Sequence, residues 1–464
     1  TLLSELIARD PSSAEAHSRM SRLYTLEEEF QAALDEATKA VSLDPDNAGI
    51  RAHRARLLAR CGATAQALQE AQRAVESAPD DPVAVTTLAA LLSDSGRYQD
   101  ALSWYSHAIE LTPADATPFR ELGRLALLLE DAPRAVAALE HAASLDPTDL
   151  ATLTLAADAL EATGDLARAA QFAERALNLE PERVELRVRL ARLLRLSRRL
   201  AEAADVLAQA GTAEHRELTL EQARVLAARG EQEAALRLYQ QTLDRSADQL
   251  ETLLEMAECA ITWQEQAEAR AECGLPVQAP DRRFVESLHQ LIAKFRPSPT
   301  LEGRYQAAVA GLLALLGQEQ EAAELCRSAL LQAPDEPSLH RRLADLLMRA
   351  GKPKEALKEL VLADRARPGD TETVLGIGRL LVQVNECDRG AAALKRAATL
   401  AGDDALTLVR VARSLEEAGR TADAIEPMRA ALAADDAHPG WWNHLGDLHL
   451  SLKRYQSALE AYQR

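Results

Sequence analysis

The prolines of this chain keep a fixed step. Pro11, Pro45, Pro79, Pro113, Pro147 and Pro181 stand 34 residues apart, and Pro334 and Pro368 resume the same interval. A repeat of this length means that one small unit is stacked many times, each copy burying its apolar face against the next. The 464 residues are therefore read as a quasi-linear array, although length alone suggests about three ordinary domains. The phrases around the prolines repeat as well: SLDPDN, SAPDDP, LTPADA, SLDPTD, NLEPER, QAPDEP and RARPGD. In each, proline stops one helix and an Asp or Ser is placed to cap the next.

Between the prolines the apolar residues recur at three and four, the helical period. In the unit that opens at Pro82, Leu88, Ala89 and Leu92 share one face of a first helix. Gly96 ends that helix, and Ala101, Tyr105 and Ala108 line a second, which stops at Pro113. Ala33, Ala37 and Ala40, then Ala67, Ala71 and Ala74, then Ala169, Ala173 and Ala176 repeat the small-residue stripe. Small residues there let two antiparallel helices approach closely. The stripe also accounts for only 16 aromatics in a chain that is 47% hydrophobic.

A 34-residue helix–turn–helix with this signature resembles the tetratricopeptide repeat family. Units from Ala14, Ala48, Pro82, Ala116, Leu150 and Val184 fit closely, as do those from Gly303, Pro337, Thr371, Ala405 and Pro439; units from Arg216 and Leu250 fit more loosely. The unit from Pro439 is nearest the family pattern, with Trp442, Leu445, Gly446, Ala458 and Tyr462. The resemblance implies an all-α fold, an α-solenoid of about thirteen repeats forming a right-handed superhelix. Residues 1–273 are expected to form an N-terminal array and 303–464 a C-terminal array, with an irregular junction at 274–302. The junction contains Pro276, Pro280, Pro297 and Pro299 and one extra helix with Phe284, Leu288, Leu291, Ile292 and Phe295 on a face. That helix would plug the groove, cover an array end, dock a partner, or simply pack between the arrays. The Val184 unit runs short where AQAGTAEHRE replaces the proline turn. TLLSELIARD at the start reads as the tail of a second helix, and SALEAYQR stops inside another, so the sequence is expected to be a piece of a longer chain.

Catalytic patterns are missing: there is no G-x-x-x-x-G-K-[ST], H-E-x-x-H or G-x-S-x-G. Gly376-Ile-Gly378 has neither a preceding strand nor a third glycine. His444 and His449 stand five apart, on different helix faces, so metal binding is not expected. Five scattered cysteines without a C-x-x-C pair read as buried thiols and lean toward a reducing compartment. The cytoplasm is accordingly expected, with the periplasm as the alternative. No cofactor, catalytic residue or metal site is expected. The net charge of −19 with few rings disfavours nucleic acid. The longest apolar run, near 307–317, is too short to cross a bilayer.

What remains is a surface. In the family, first helices line the inner wall, where ligand peptides lie. The ninth residue of each unit would face inward: Arg22, Arg56, Ala90, Arg124, Asp158, Arg192, Arg224, Glu258, Gly311, Asp345, Arg379, Arg413 and Asp447. Seven of these thirteen are arginine, in a chain with only 46 arginines overall. Arg19, Arg120, Arg189, Arg341, Arg342 and Arg410 precede that position by three or four residues. A planar guanidinium fork binds carboxylate bidentately. One reading is therefore a ladder for an extended acidic or C-terminal peptide, carried by Arg19, Arg22, Arg56, Arg120, Arg124, Arg189, Arg192, Arg224, Arg379 and Arg413. The other is that these arginines pair with neighbours such as Glu121, Glu221, Glu255 and Glu416 and hold repeats in register. The family's carboxylate clamp uses Asn at the ninth position of its first unit. Arg22 stands there, so heat-shock-chaperone tail recognition is not expected.

The expected function is a non-catalytic scaffold for proteins or peptides, for example in a bacterial envelope or polysaccharide assembly machine. A preference for Arg over the seven Lys fits a GC-rich genome. Two alternatives stay open. One is the substrate-recruiting arm of a larger glycosyltransferase- or sulfotransferase-type enzyme, and the other is the periplasmic arm of an exopolysaccharide export protein.

Overall fold

A computed structural model describes residue 7 and residues 10–209, 215–243 and 249–464. Most of TLLSELIARD and the middle of AQAGTAEHRE lie outside the described residues. Among the described residues there are 26 helices and no strand, so the fold is an all-α solenoid of helix pairs. The chain divides into two compact units, Thr1–Leu218 and Thr219–Arg464.

The first unit holds six pairs, from Ala14–Leu26 with Phe30–Leu43 to Val184–Leu196 with Leu200–Ala208. Local chemistry sets each boundary. The side chains of Asn47, Asp81, Asp115 and Asp149 accept hydrogen bonds from the first-turn amides of Ile50, Val83, Thr117 and Ala151. Within a pair the chain reverses through one residue in the left-handed region. Gly96 takes it at φ +78°, whereas Glu130 and Arg198 take it at 59° and 63° with a side chain to accommodate. Ala33, Ala37 and Ala40 are fully buried, as are Ala67, Ala71 and Ala74, so the paired backbones close on each other as the pattern predicts. Small also meets large: a Cβ on Gly123 would stand 2.4 Å from the Leu139 side chain. The cores are strung along the stack rather than gathered at one centre.

A recurrent clamp was not anticipated. The fourth residue of several first helices donates to the carbonyl six residues back, in the preceding turn: His17 Nε2 to Pro11 (3.2 Å), Arg51 to Pro45 (2.5 Å) and Arg187 to Pro181 (2.7 Å). In the second unit His340 Nε2 bonds Pro334 (2.8 Å) and Trp442 Nε1 bonds Asp436 (3.3 Å). The same side chains reach the second helix of their own pair, His17 at Glu36, Arg51 at Glu70 and His340 at Glu359. The carbonyls at these turns, which the preceding helix leaves without an intrahelical partner, are thereby bonded by side chains of the following helix.

In the second unit the pair Arg216–Ala228 and Gln232–Leu243 is followed by one uninterrupted helix, Gln249–Glu272, of 24 residues. First helices elsewhere run 13 or 14 residues. A sequence reading that starts a two-helix unit at Leu250 meets no glycine, proline or asparagine to turn at, since TWQEQAEARAE is made of helix formers. The helix ends only at Gly274, at φ +73°. The extra helix, Arg282–Ile292, buries Val285, Leu288 and Ile292 against this long helix and Glu302–Leu315. It is a packing element, and Leu291 is its exposed member. Five more pairs complete the unit, from Glu302–Leu315 with Glu319–Gln332 to Pro439–Ser451 with Tyr455–Tyr462.

Candidate peptide-binding groove

The wall of first helices carries the ninth-position arginines, and the structure sorts them into free and engaged. In the first unit, Arg124 donates to Glu121 (2.8 Å) and Ser93 Oγ (3.1 Å). Arg192 meets Glu161 (2.8 Å), Arg120 meets Asp149 (2.9 Å), and Arg19 meets Glu15 (2.5 Å). Arg189 binds Asp158 and the Thr154 carbonyl, and lines a cleft of about 570 Å³ with Leu150, Thr154, Arg183 and Leu186.

Arg22 and Arg56 differ. Both are exposed, and neither has a carboxylate partner among the described residues. They sit at the same register of adjacent repeats, close enough that Arg22, after partial desolvation, helps to lower the pKa of Arg56. Beneath them lies His53, buried, with Nε2 at 3.0 Å from Ser21 Oγ. The Ser21 hydroxyl donates to the Ala33 carbonyl (2.7 Å), so it accepts from His53, whose proton is on Nε2. Burial pulls His53 down to about 4, with Arg56 and Arg22 adding to the effect. The ring is therefore neutral at pH 7, and the positive charge belongs to the two guanidiniums. The next inward position, Ala90, offers no charge.

In the second unit every ninth-position charge is engaged internally or crowded. Arg224 grips Glu255 through Nε and Nη2 (3.0 and 2.6 Å) and also meets Glu221 (3.3 Å). Arg304 grips Glu258 at 2.5 and 2.8 Å. Arg379 holds both oxygens of Glu272 (3.1 and 2.9 Å), and Arg413 donates to the Glu272 carbonyl. Arg410 binds Glu272 (2.9 Å) and Glu372 (2.6 Å). Burial raises Asp345 to about 6, with Glu265 adding to the rise and Arg342, Arg341 and Arg349 opposing it. Asp447 accepts from Tyr462 (2.6 Å).

The proposed pairing partners Glu121, Glu221 and Glu255 do pair with ladder arginines, whereas Glu416 accepts from His444. Sequence reasoning missed the acids in the second half of the long helix, Glu265, Glu268 and Glu272. Their signal was present as a run of acids at helical spacing, Glu258, Glu265, Glu268 and Glu272, in a segment with no turn residue. Among the described residues no cluster of three metal-ligating side chains occurs, and no helix is long and apolar enough to cross a membrane. All five cysteines are free; Cys259, Cys273 and Cys326 are buried, while Cys61 is exposed.

Stacked helix pairs of 34-residue period define the class of helical-repeat solenoids. Tetratricopeptide repeat models match residues 25–92 and 313–377, 375–439 and 409–464, and 150–183, and the chain belongs to that family. A comparison with curated proteins finds no match. Among solved structures, the Cut9–Hcn1 hetero-tetramer of the APC/C is similar at 14% identity and a TM-score of 0.47, over 99% of this chain and 87% of that one. Naa15/Naa10 bound to HypK is similar at 14% identity and 0.37, over 97% and 79%. YrrB, described as having an unusual peptide-binding site, is similar at 16% identity and 0.34, over 43% and 98%.

Proposed function

We propose that this chain is a non-catalytic interaction scaffold whose first two helix pairs hold a carboxylate-bearing segment of a partner protein between Arg22 and Arg56. One observation carries the proposal: these two adjacent inward arginines lack a carboxylate among the described residues, while the other arginines of the ladder have internal acceptors. Two unneutralised guanidiniums one repeat apart suit a side-chain carboxylate or a chain terminus, each taken by a planar fork. The two charges are the feature that an otherwise acidic molecule would offer to an acidic segment. The arginine-rich composition further supports a bacterial setting, such as an envelope or polysaccharide assembly machine, entered from the cytoplasm or the periplasm. The full reading frame would separate that setting from an arm of a larger enzyme or exporter.

The test uses a fluorescein-labelled Glu–Ala peptide with a free C-terminus and reads anisotropy. Arg22→Glu with Arg56→Glu is expected to weaken binding about tenfold or more. Arg19→Ala, which removes an arginine already paired with Glu15, leaves it within about twofold. Bound carboxylate also raises the His53 pKa, visible by NMR, because the two arginines that depress it become neutralised. Unchanged affinity in the double variant would refute the assignment.

A further inference from the structure

The last four turns of the long helix are held as a ligand is held. From Glu258 onward its contacts step from one first helix to the next. Glu258 meets Arg304, Ile261 faces Gly311, Glu265 meets Arg342 (3.1 Å), Glu268 meets Arg349 (3.2 Å), and Glu272 meets Arg379 and Arg410. The final contacts go to its backbone: Arg413 donates to the Glu272 carbonyl and Trp441 Nε1 to the Cys273 carbonyl (3.4 Å). Cys273 then buries its thiol among Val374, Leu408 and Trp441. Five consecutive repeats are engaged in order, largely through charge-assisted bonds to one acidic helical face. Glu265, Glu268 and Glu272 each keep 38–48% of their side chains exposed. Beyond Ala260, the segment's buried apolar side chains are Ile261, Ala267 and Cys273.

Such a seam differs from the repeat core, where Leu and Ala pack without charge. The helix stops at Gly274, and a proline-bearing loop follows, so residues 262–273 are tethered at their far end by a loop and not by a further packed helix. We infer that the wall of first helices from Glu302–Leu315 to Pro439–Ser451 is a binding site for an acidic amphipathic helix. The chain fills this site with its own residues 262–273, and an acidic helix of a partner protein enters only when they leave. The occupant is defined by the seam: carboxylates seven and four residues before a final one, with a small apolar residue between the first two, presented on one helical face. This site shares no residue with Arg22 and Arg56, so either proposal can fail alone.

The probe is a fluorescein-labelled synthetic peptide of residues 256–277 added to the full chain. In Glu265→Lys with Glu272→Lys the arginines repel the resident helix, and the variant is expected to bind the probe at least about tenfold more tightly than the unaltered protein. The same probe with Gln at those two positions is expected to lose that gain. A variant with normal far-UV circular dichroism and no gain in binding overturns the inference. Where the variant does not fold, hydrogen exchange in the unaltered protein decides. Amides of 262–273 opening ahead of 250–257 support a displaceable segment, and amides opening only with global unfolding overturn it.

Discussion

Gly311→Ala tests whether the long helix lies against the wall of first helices. Gly311 occupies an inward ninth position in the middle of Glu302–Leu315, where glycine costs a helix about 0.5–1 kcal/mol relative to alanine. In an empty groove the exchange would therefore stabilise. Here a Cβ at 311 stands 2.2 Å from Ile261 Cδ1, 3.0 Å from Ile261 Cγ1 and 3.6 Å from Arg342 Cζ. The first of these is about 1.2 Å inside ordinary contact, and Ile261 is only 4% exposed, with little room to turn. Overpacking of this kind costs about 1–3 kcal/mol. The expected net is a loss of about 0–2 kcal/mol, opposite in sign to the propensity term. In an Ile261→Ala background the obstruction is gone, and Gly311→Ala is expected to stabilise by about 1 kcal/mol, giving a coupling of about 1–3 kcal/mol. Gly303, on the same helix but in open space, serves as the control, and its alanine variant is expected to be neutral or stabilising. Urea midpoints at constant slope provide the measurement. Equal stabilisation by Gly311→Ala with and without Ile261 would refute the placement of the long helix.

Two pH effects follow from buried groups. His53 has a folded pKa near 4, below its unfolded value, so the stability linked to it is present above about pH 6.5 and is lost as pH falls toward 4. His53→Gln keeps a donor for Ser21 and is expected to reduce the drop in melting temperature between pH 7 and pH 5, a drop to which His53 contributes about 2 kcal/mol in the unaltered protein. An equal drop in both proteins would refute this. Asp345 has the opposite sign. With its folded pKa raised to about 6, its contribution is fully present below the unfolded value and is lost as pH rises through 6. Asp345→Asn is accordingly expected to stabilise at pH 8 by about 1–3 kcal/mol and to be nearly neutral at pH 4, read by thermal melts at the two pH values.

Much of the fold can be read from the sequence because the determinants are local and repeated. The proline step sets the unit, as at Pro79 and Pro113 on either side of the pair Pro82–Asp94 and Tyr98–Leu111. The alanine stripes identify the contacting faces, and Ala33, Ala37 and Ala40 are fully buried where the period puts them. The proline-turn clamp was also written in the chain, as His17, Arg51, Arg187, His340 and Trp442 six residues after the carbonyls they bond. It went unread because side chains as different as imidazole, guanidinium and indole share only an N–H.

The groove divides along a different line. Counting by the 34-residue period finds that arginines recur at the ninth position of the units. Whether each arginine is free or neutralised depends on which acids come to face it from elsewhere in the chain. Arg124 meets Glu121 three residues away, a pairing the helix period already contains. Arg379 meets Glu272, 107 residues away, because a helix without a turn residue runs on across the following repeats. The sequence by itself determined the repeat, the helix pairs, their small-residue seams and the ninth-position register of the arginines. Only the tertiary structure decided that Arg22 and Arg56 stand unneutralised while the second unit's wall is filled by residues 262–273. Charge pairing between distant repeats depends on separations that no local spacing encodes.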